Sequence, residues 1–203
     1  MTADLAPQKR ALRAELRERR RNLTRDERAA ATDGITDRLV ALTKELGAHS
    51  VSCYLSAVDE PNTRPFVNWA RASGLRVLFP ITRSDGLLDW TTATDEEEEV
   101  VGIAGTPEPV GELLGPIAIN DVDLIVVPAA AVDGGGMRLG WGRGYYDKTL
   151  GSMEQCPPVY AVIFDSELVD EVPRERHDEA IDGVVTPTRT VEFATRSHRR
   201  RRI

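Results

Sequence analysis

Cysteine is scarce in this chain of 203 residues: Cys53 and Cys156 are the two, far apart and in no metal-like spacing. Cys53 sits in an apolar alternating stretch, so it is expected to be a reduced core residue of a cytoplasmic protein. Long apolar runs are missing as well. None approaches the roughly 20 residues that span a bilayer. The charged start carries no apolar signal-peptide core, so no membrane association is expected. Excess positive charge is also absent, and a formal net charge of −7 argues against a general nucleic-acid binder. No internal repeat or dividing linker is visible. The Ser, Cys and His residues form no triad-like grouping, so no protein nucleophile stands out.

What remains is an ordinary globular composition, 41% hydrophobic and 29% charged, long enough to bury a sizeable core. At about 150 residues per domain the length suggests one domain, taken as residues 1–191. Residues 192–203 form a basic tail in which Arg199 to Arg202 are consecutive like charges that repel and lack a core to pack on, so disorder is expected there.

Apolar periodicity alternates between the two secondary-structure periods. Pro7 to Asn22 reads as a helix on which Lys9 and Arg13 share a face, which by composition is a solvated cationic helix. Thr24-Arg25-Asp26-Glu27 reads as a capping box opening a second helix, with Ile35, Leu39, Leu42 and Leu46 as its buried stripe and Gly47 as its stop. Val51, Cys53 and Leu55 alternate as a half-buried strand, and Thr63 can cap the next helix. Further strands are expected at Leu75–Phe79, ending at Pro80, then before Trp90, at Asp123–Val127, at Val159–Phe164 and at Val184–Thr186. Asp95 to Glu99 is an acidic run expected on a solvated surface. Strands alternating with helices argue for a parallel α/β sheet covered on both faces, whose ligands collect at the carboxyl ends of the strands. The loops after Leu55, Phe79 and Val127 would converge there.

The stretch Arg138-Leu139-Gly140-Trp141-Gly142-Arg143-Gly144-Tyr145-Tyr146-Asp147 places three glycines before a probable helix start, the layout of a phosphate cradle. Its G-x-G-x-G spacing fits neither a Walker A loop nor a dinucleotide fingerprint, and a plain structural turn is the alternative reading. Arg138 and Arg143 supply cations for phosphate, and Asp147 supplies a carboxylate for a divalent metal.

RLGWGRGYYDK resembles the signature of 5-formyltetrahydrofolate cyclo-ligases, also called methenyltetrahydrofolate synthetases. The resemblance extends, in the family's order, through Lys9-x-x-x-Arg13, Ser56-x-x-Asp59-Glu60, the region from Gly102-Ile103 to Glu108-Pro109, and His177-Asp178, covering about residues 6 to 190. It implies a three-layer α/β/α sandwich with a mainly parallel central sheet, similar in class to phosphosugar isomerases and coenzyme A transferases. It also implies the ATP- and Mg²⁺-dependent conversion of 5-formyltetrahydrofolate to 5,10-methenyltetrahydrofolate.

On that resemblance Lys9, Arg13 and the loop from Arg138 to Tyr146 would hold ATP, with Arg138, Arg143 and Asp147 catalytic. Leu55 and Glu60 would meet the folate, together with Trp141, Gly142, Arg143, Gly144 and Tyr145, while Asp147 and Asp182 would hold magnesium. A carboxylate suits the pterin, accepting from a ring N–H and an exocyclic amine, although Glu60 also reads as a helix-end charge. His177 beside Asp178 reads as a structural pair. The expected partner is the small-molecule folate, with or without a polyglutamate tail, bound by a monomer. Two rivals stay open from the residues: a phosphosugar or coenzyme A enzyme that uses Glu60 for proton or acyl transfer without ATP, and a non-catalytic folate or nucleotide binder.

Overall fold

In the computed structural model, residues 5–92, 98–153, 156–175, 178 and 180–193 are described. His177, most of the acidic run and the arginine tail lie outside them. In chain order the elements are α1 (Leu5–Arg21), α2 (Arg25–Glu45), β1 (Ser50–Ser52), α3 (Arg64–Ala72), β2 (Arg76–Thr82), β3 (Leu88–Thr91), β4 (Glu99–Val101), β5 (Pro107–Pro109), β6 (Leu113–Leu114), β7 (Leu124–Pro128), β8 (Ala131–Asp133), β9 (Arg138–Leu139), α4 (Tyr145–Ser152), β10 (Val159–Val162), β11 (Leu168–Val169), β12 (Gly183–Val185) and β13 (Thr190–Glu192).

The main sheet runs β13-β12-β10-β7-β1-β2-β3-β6. Strands β12, β10, β7, β1 and β2 are parallel, and β13, β3 and β6 add antiparallel edges. Residues alternate cleanly across it. Leu124 and Val126 of β7 join Ile35, Leu39 and Leu42 of α2 and Phe66 and Val67 of α3 on one face. Ile125 and Val127 join Leu150 of α4, Trp90 and Ile119 on the other. This is the expected sandwich, and each face excludes water from a sheet that β-branched residues favour.

Covering both faces changes several sequence expectations. The strand at Val51 is buried on both sides rather than half-buried. Strand β2 runs through Pro80, which pairs with Trp90. β1 reaches only Leu78 along its other side, so a residue without an N–H sits where that side has no ladder partner. Thr63 does not cap α3; its hydroxyl donates to the Tyr54 carbonyl (2.7 Å) instead. A further strand, β13, pairs antiparallel with β12, so the ordered sheet reaches Glu192.

The capping box of α2 forms as expected, with Glu27 N–H donating to Thr24 Oγ1 (3.2 Å) and Thr24 N–H to Glu27 Oε2 (2.8 Å). Gly34, a poor helix former, has a packing reason to be there. A Cβ at this position would stand 2.2 Å from the carbonyl oxygen of Pro187.

Helix α1 belongs to neither main face. Its Leu16, with Leu12 beside it, packs on Ala130 of the link after β7 and on Ala131 and Leu139 of the small sheet β11-β8-β9, which extends the carboxyl end of β7. That seat lays the cationic face of α1 beside the glycine-rich loop.

Candidate active site

The glycine-rich loop does not follow the central strand directly. β7 first turns into the hairpin β8–β9, whose tip is tied by Asp133 accepting from Gly135 N–H (2.9 Å) and Met137 N–H (3.1 Å). From β9 the loop runs into α4. Gly142 (φ +97°) and Gly144 (φ +72°) adopt left-handed conformations open to glycine at little cost. A Cβ on Gly142 would also come within 3.3 Å of the Arg13 guanidinium.

Two cavities meet at this loop. The first, about 470 Å³, lies between α1 and the loop, bordered by the cations Lys9, Arg10, Arg13, Arg17 and Arg138, by Leu139, Gly140 and Gly142, and by the carboxylates Asp147, Glu175 and Asp178. The second, about 410 Å³ and more apolar, lies over the carboxyl ends of β7 and β2, bordered by Tyr54, Leu55, Glu60, Pro128, Tyr145 and Tyr146. Arg17, Arg138, Gly140, Trp141, Gly144 and Asp147 border both. The turn of the β4–β5 hairpin, from Ala104 to Pro107, closes one side of the second.

The charged groups are positioned by protein partners. Lys9 Nζ donates to Glu175 Oε2 and Asp178 Oδ2, each at 2.8 Å. Burial disfavours its charge, but the hydrogen bonds to Asp178 and Glu175 outweigh that and hold the ammonium above its ordinary range. Arg13 Nε donates to the Gly140 carbonyl (2.7 Å), clamping the loop. Burial, reinforced by the neighbouring Arg17 charge, lowers the Arg13 pKa. Arg138 Nη2 donates to Asp147 Oδ1 at 2.6 Å. Glu60 Oε2 accepts from the Ala57 N–H (2.9 Å), and desolvation pushes its carboxyl above the usual range against that bond and the Arg20 charge.

Residues that no motif singled out complete the wall. Arg17 and Arg20 of α1 flank the Trp141 ring at 4.9 and 4.8 Å from its centroid. Arg20 is buried and forked onto Glu167. The only sequence trace of this was helical spacing from Arg13, and it was lost among the surrounding arginines. Among the described residues, seven buried side-chain polar atoms lack a hydrogen-bond partner. Five of them belong to residues of the second cavity: Arg20 Nη1, Tyr54 OH, Arg138 Nη1, Trp141 Nε1 and Tyr146 OH. Every one can donate, so acceptor atoms are what these cavity residues lack.

The structure thus brings together almost every residue expected at the site. Lys9, Arg13, Leu139 and Gly142 fall on the cationic side, and Leu55, Glu60, Arg143, Tyr145 and Tyr146 on the other. Gly142 thus borders the cationic cavity and not the one that Leu55 and Glu60 border. Asp182 is not brought in. It sits at the amino-terminal ends of β10 and β12, where its carboxylate accepts from the Val159 N–H (2.8 Å), and it borders neither cavity. In a parallel sheet that is the end opposite the ligand crevice.

A three-layer α/β fold with a cation-rich cavity joined to a more apolar one has the layout of an enzyme with two adjoining ligand sites. Comparison with known proteins gives that class a family. Residues 6–187 match the 5-formyltetrahydrofolate cyclo-ligase family. A 5-formyltetrahydrofolate cyclo-ligase of Mycolicibacterium smegmatis is 34% identical over 185 residues, covering 89% of this chain and 94% of its own. One from Escherichia coli is 30% identical over 183 residues, covering 88% and 100%. The NMR structure of Aquifex aeolicus 5,10-methenyltetrahydrofolate synthetase superposes with a TM-score of 0.76 at 26% identity, over 92% of this chain and 93% of that one. The chain belongs to the 5-formyltetrahydrofolate cyclo-ligase family, and its activity is the conversion of 5-formyltetrahydrofolate to 5,10-methenyltetrahydrofolate. Family membership implies ATP as co-substrate.

Proposed function

We propose that ATP lies in the cationic cavity with its γ-phosphate toward Trp141 and Gly144, and that the folate lies in the adjoining donor-lined cavity. Five buried unpaired donors on residues that border the second cavity carry the reading; Arg138 and Trp141 among them also border the first. Backbone N–H groups of the loop and the charges of Lys9, Arg13 and Arg138 hold the phosphates. Leu55 packs on the pterin, and Glu60 accepts from its ring N–H and exocyclic amine.

The formyl oxygen then attacks the γ-phosphorus and ADP leaves. Phosphorylation turns a poor leaving group into a good one; N10 attacks the activated carbon, and phosphate departs as the ring closes. The protein's contribution is positioning and charge neutralisation, which is what phosphoryl transfer between two bound ligands requires. Arg138 borders both cavities and Arg143 the second alone, and both are assigned to neutralising the charge that moves.

Asp147 is the residue here that fits a magnesium ion. Mg²⁺ takes one or two carboxylates and completes its shell with phosphate and water; of the carboxylates that border the cationic cavity among the described residues, Glu175 and Asp178 are held on Lys9, so Asp147, partly exposed beside the glycine-rich loop, is the one assigned to the ion. When bound, the ion neutralises phosphate charge. Asp182, which accepts from the Val159 N–H and borders neither cavity, is not assigned that role.

The enzyme is expected to act as a cytoplasmic monomer on folate with or without a polyglutamate tail. Mixing it with ATP, Mg²⁺ and 5-formyltetrahydrofolate and following methenyl absorbance beside ADP release tests the scheme. Product in the absence of ATP would overturn the phosphorylation step.

A further inference from the structure

Arg20 of α1 borders the second cavity, and its guanidinium is held by three hydrogen bonds. Nε and Nη2 donate to the two carboxylate oxygens of Glu167 at 2.6 and 2.8 Å, and Nη2 also donates to the Ala129 carbonyl at 2.8 Å. Its charge lies 4.8 Å from the Trp141 ring centroid and 5.6 Å from that of Phe164. Arg20 is 1% exposed and Glu167 2%. One nitrogen stands apart from this arrangement: Nη1 is buried and has no hydrogen-bond partner. A buried donor left unpaired is costly, and here the side chain has no freedom to turn it toward the protein. Its partner is therefore expected to arrive with the ligand.

Glu60 borders the same cavity, and the Arg20 charge acts on its carboxyl, opposing the effect of burial. A pterin presents different chemistry on neighbouring atoms. The exocyclic amine and ring N–H that suit Glu60 are donors, and the next heteroatom around the ring is a carbonyl oxygen, an acceptor. We propose that Arg20 is a specificity-determining residue that donates from Nη1 to this pterin carbonyl oxygen, so that a carboxylate and a guanidinium together read one edge of the ring. The assignment rests on the placement of folate in this cavity. Glu167 and the Ala129 carbonyl act through Arg20 as positioning groups, and Trp141 covers it.

The test uses two variants of the full chain. The double variant Arg20→Met with Glu167→Gln removes both buried charges together, avoiding an unpaired carboxylate in the core. Arg20→Lys keeps a cation for Glu167 but lacks the second terminal nitrogen. KM is measured for 5-formyltetrahydrofolate, for its 4-amino-4-deoxy analogue in which the carbonyl is replaced by an amine, and for ATP. Loss of one charged hydrogen bond should raise the folate KM by about ten- to a hundredfold and leave the ATP KM unchanged. Preference for the carbonyl substrate over the amino analogue should fall by about tenfold or more in both variants.

A merely structural role would weaken both folates equally and leave that ratio unaltered, which would overturn the proposal. Loss of discrimination in Tyr54→Phe, with Arg20→Lys behaving as wild type, would likewise overturn it by moving the role to the tyrosine hydroxyl. Unaltered folate affinity in Glu60→Gln would instead remove the placement of folate on which the proposal rests, so the two failures are distinguishable.

Discussion

Arg138 and Asp147, at the two ends of the glycine-rich stretch, close on each other through a 2.6 Å ion pair. The arginine side chain is 2% exposed and the aspartate 26%. The loop between them is thereby pinned at its entry and at the first turn of α4, and the pair faces both cavities.

Asp147→Asn keeps an acceptor for Arg138 but is a poor magnesium ligand. Turnover is expected to fall to a small fraction of wild type and to need more Mg²⁺ for half-saturation, with the melting temperature little changed. Asp147→Ala is expected to lower stability as well, because it strips a buried guanidinium of its carboxylate. The loss should be less than the about 3–5 kcal/mol of a fully buried pair, since the aspartate is partly exposed. Wild-type turnover of Asp147→Asn at limiting Mg²⁺ would rule out the metal role.

Lys9→Ala and Arg13→Ala should each raise the KM for ATP by about ten- to a hundredfold, the range for losing a charged hydrogen bond. The folate KM should stay near wild type, because both side chains border the cationic cavity alone. Steady-state kinetics with each substrate varied in turn checks this. An effect confined to folate would reverse the assignment.

Glu60 couples binding to pH. Burial raises its pKa above the ordinary 4.5, so the carboxylate needed by the pterin is lost at a higher pH than an exposed glutamate would set. Folate KM should therefore rise on acidification while ATP KM does not. Stability runs the other way. A raised folded-state pKa contributes stability that is present below the unfolded pKa and is lost as pH rises through the folded one. At neutral pH Glu60→Gln should thus leave the melting temperature unchanged or higher while weakening folate binding about ten- to a hundredfold. Calorimetric titration paired with melting curves measures both, and a destabilised variant with normal folate affinity would make Glu60 only a helix-end charge.

Gly34→Ala reverses the usual helix rule. Alanine in a helix interior is favoured over glycine by about 0.8–1 kcal/mol, but here its Cβ would overlap the Pro187 carbonyl. Overpacking of this kind costs about 1–3 kcal/mol, so a lower melting temperature with unchanged kinetic constants is expected. An increase would mean that the turn after β12 yields readily.

Much of this protein is written in local pattern. The capping box at Thr24, the stripe of Ile35, Leu39 and Leu42, and the β-branched run of β7 each rest on residues close in sequence, so periodicity alone locates them. The glycines at 142 and 144 likewise declare a backbone that side chains resist. Partners across the fold leave no such trace. Whether Thr63 caps a helix or bonds to Tyr54, whether Pro80 ends a strand or sits in one, and which arginine of a basic helix is buried depend on what packs alongside. Arg20 is silent in the sequence because Glu167 is 147 residues away. The family resemblance puts Asp182 among the magnesium ligands, but only the parallel sheet decides at which end of its strands that carboxylate stands.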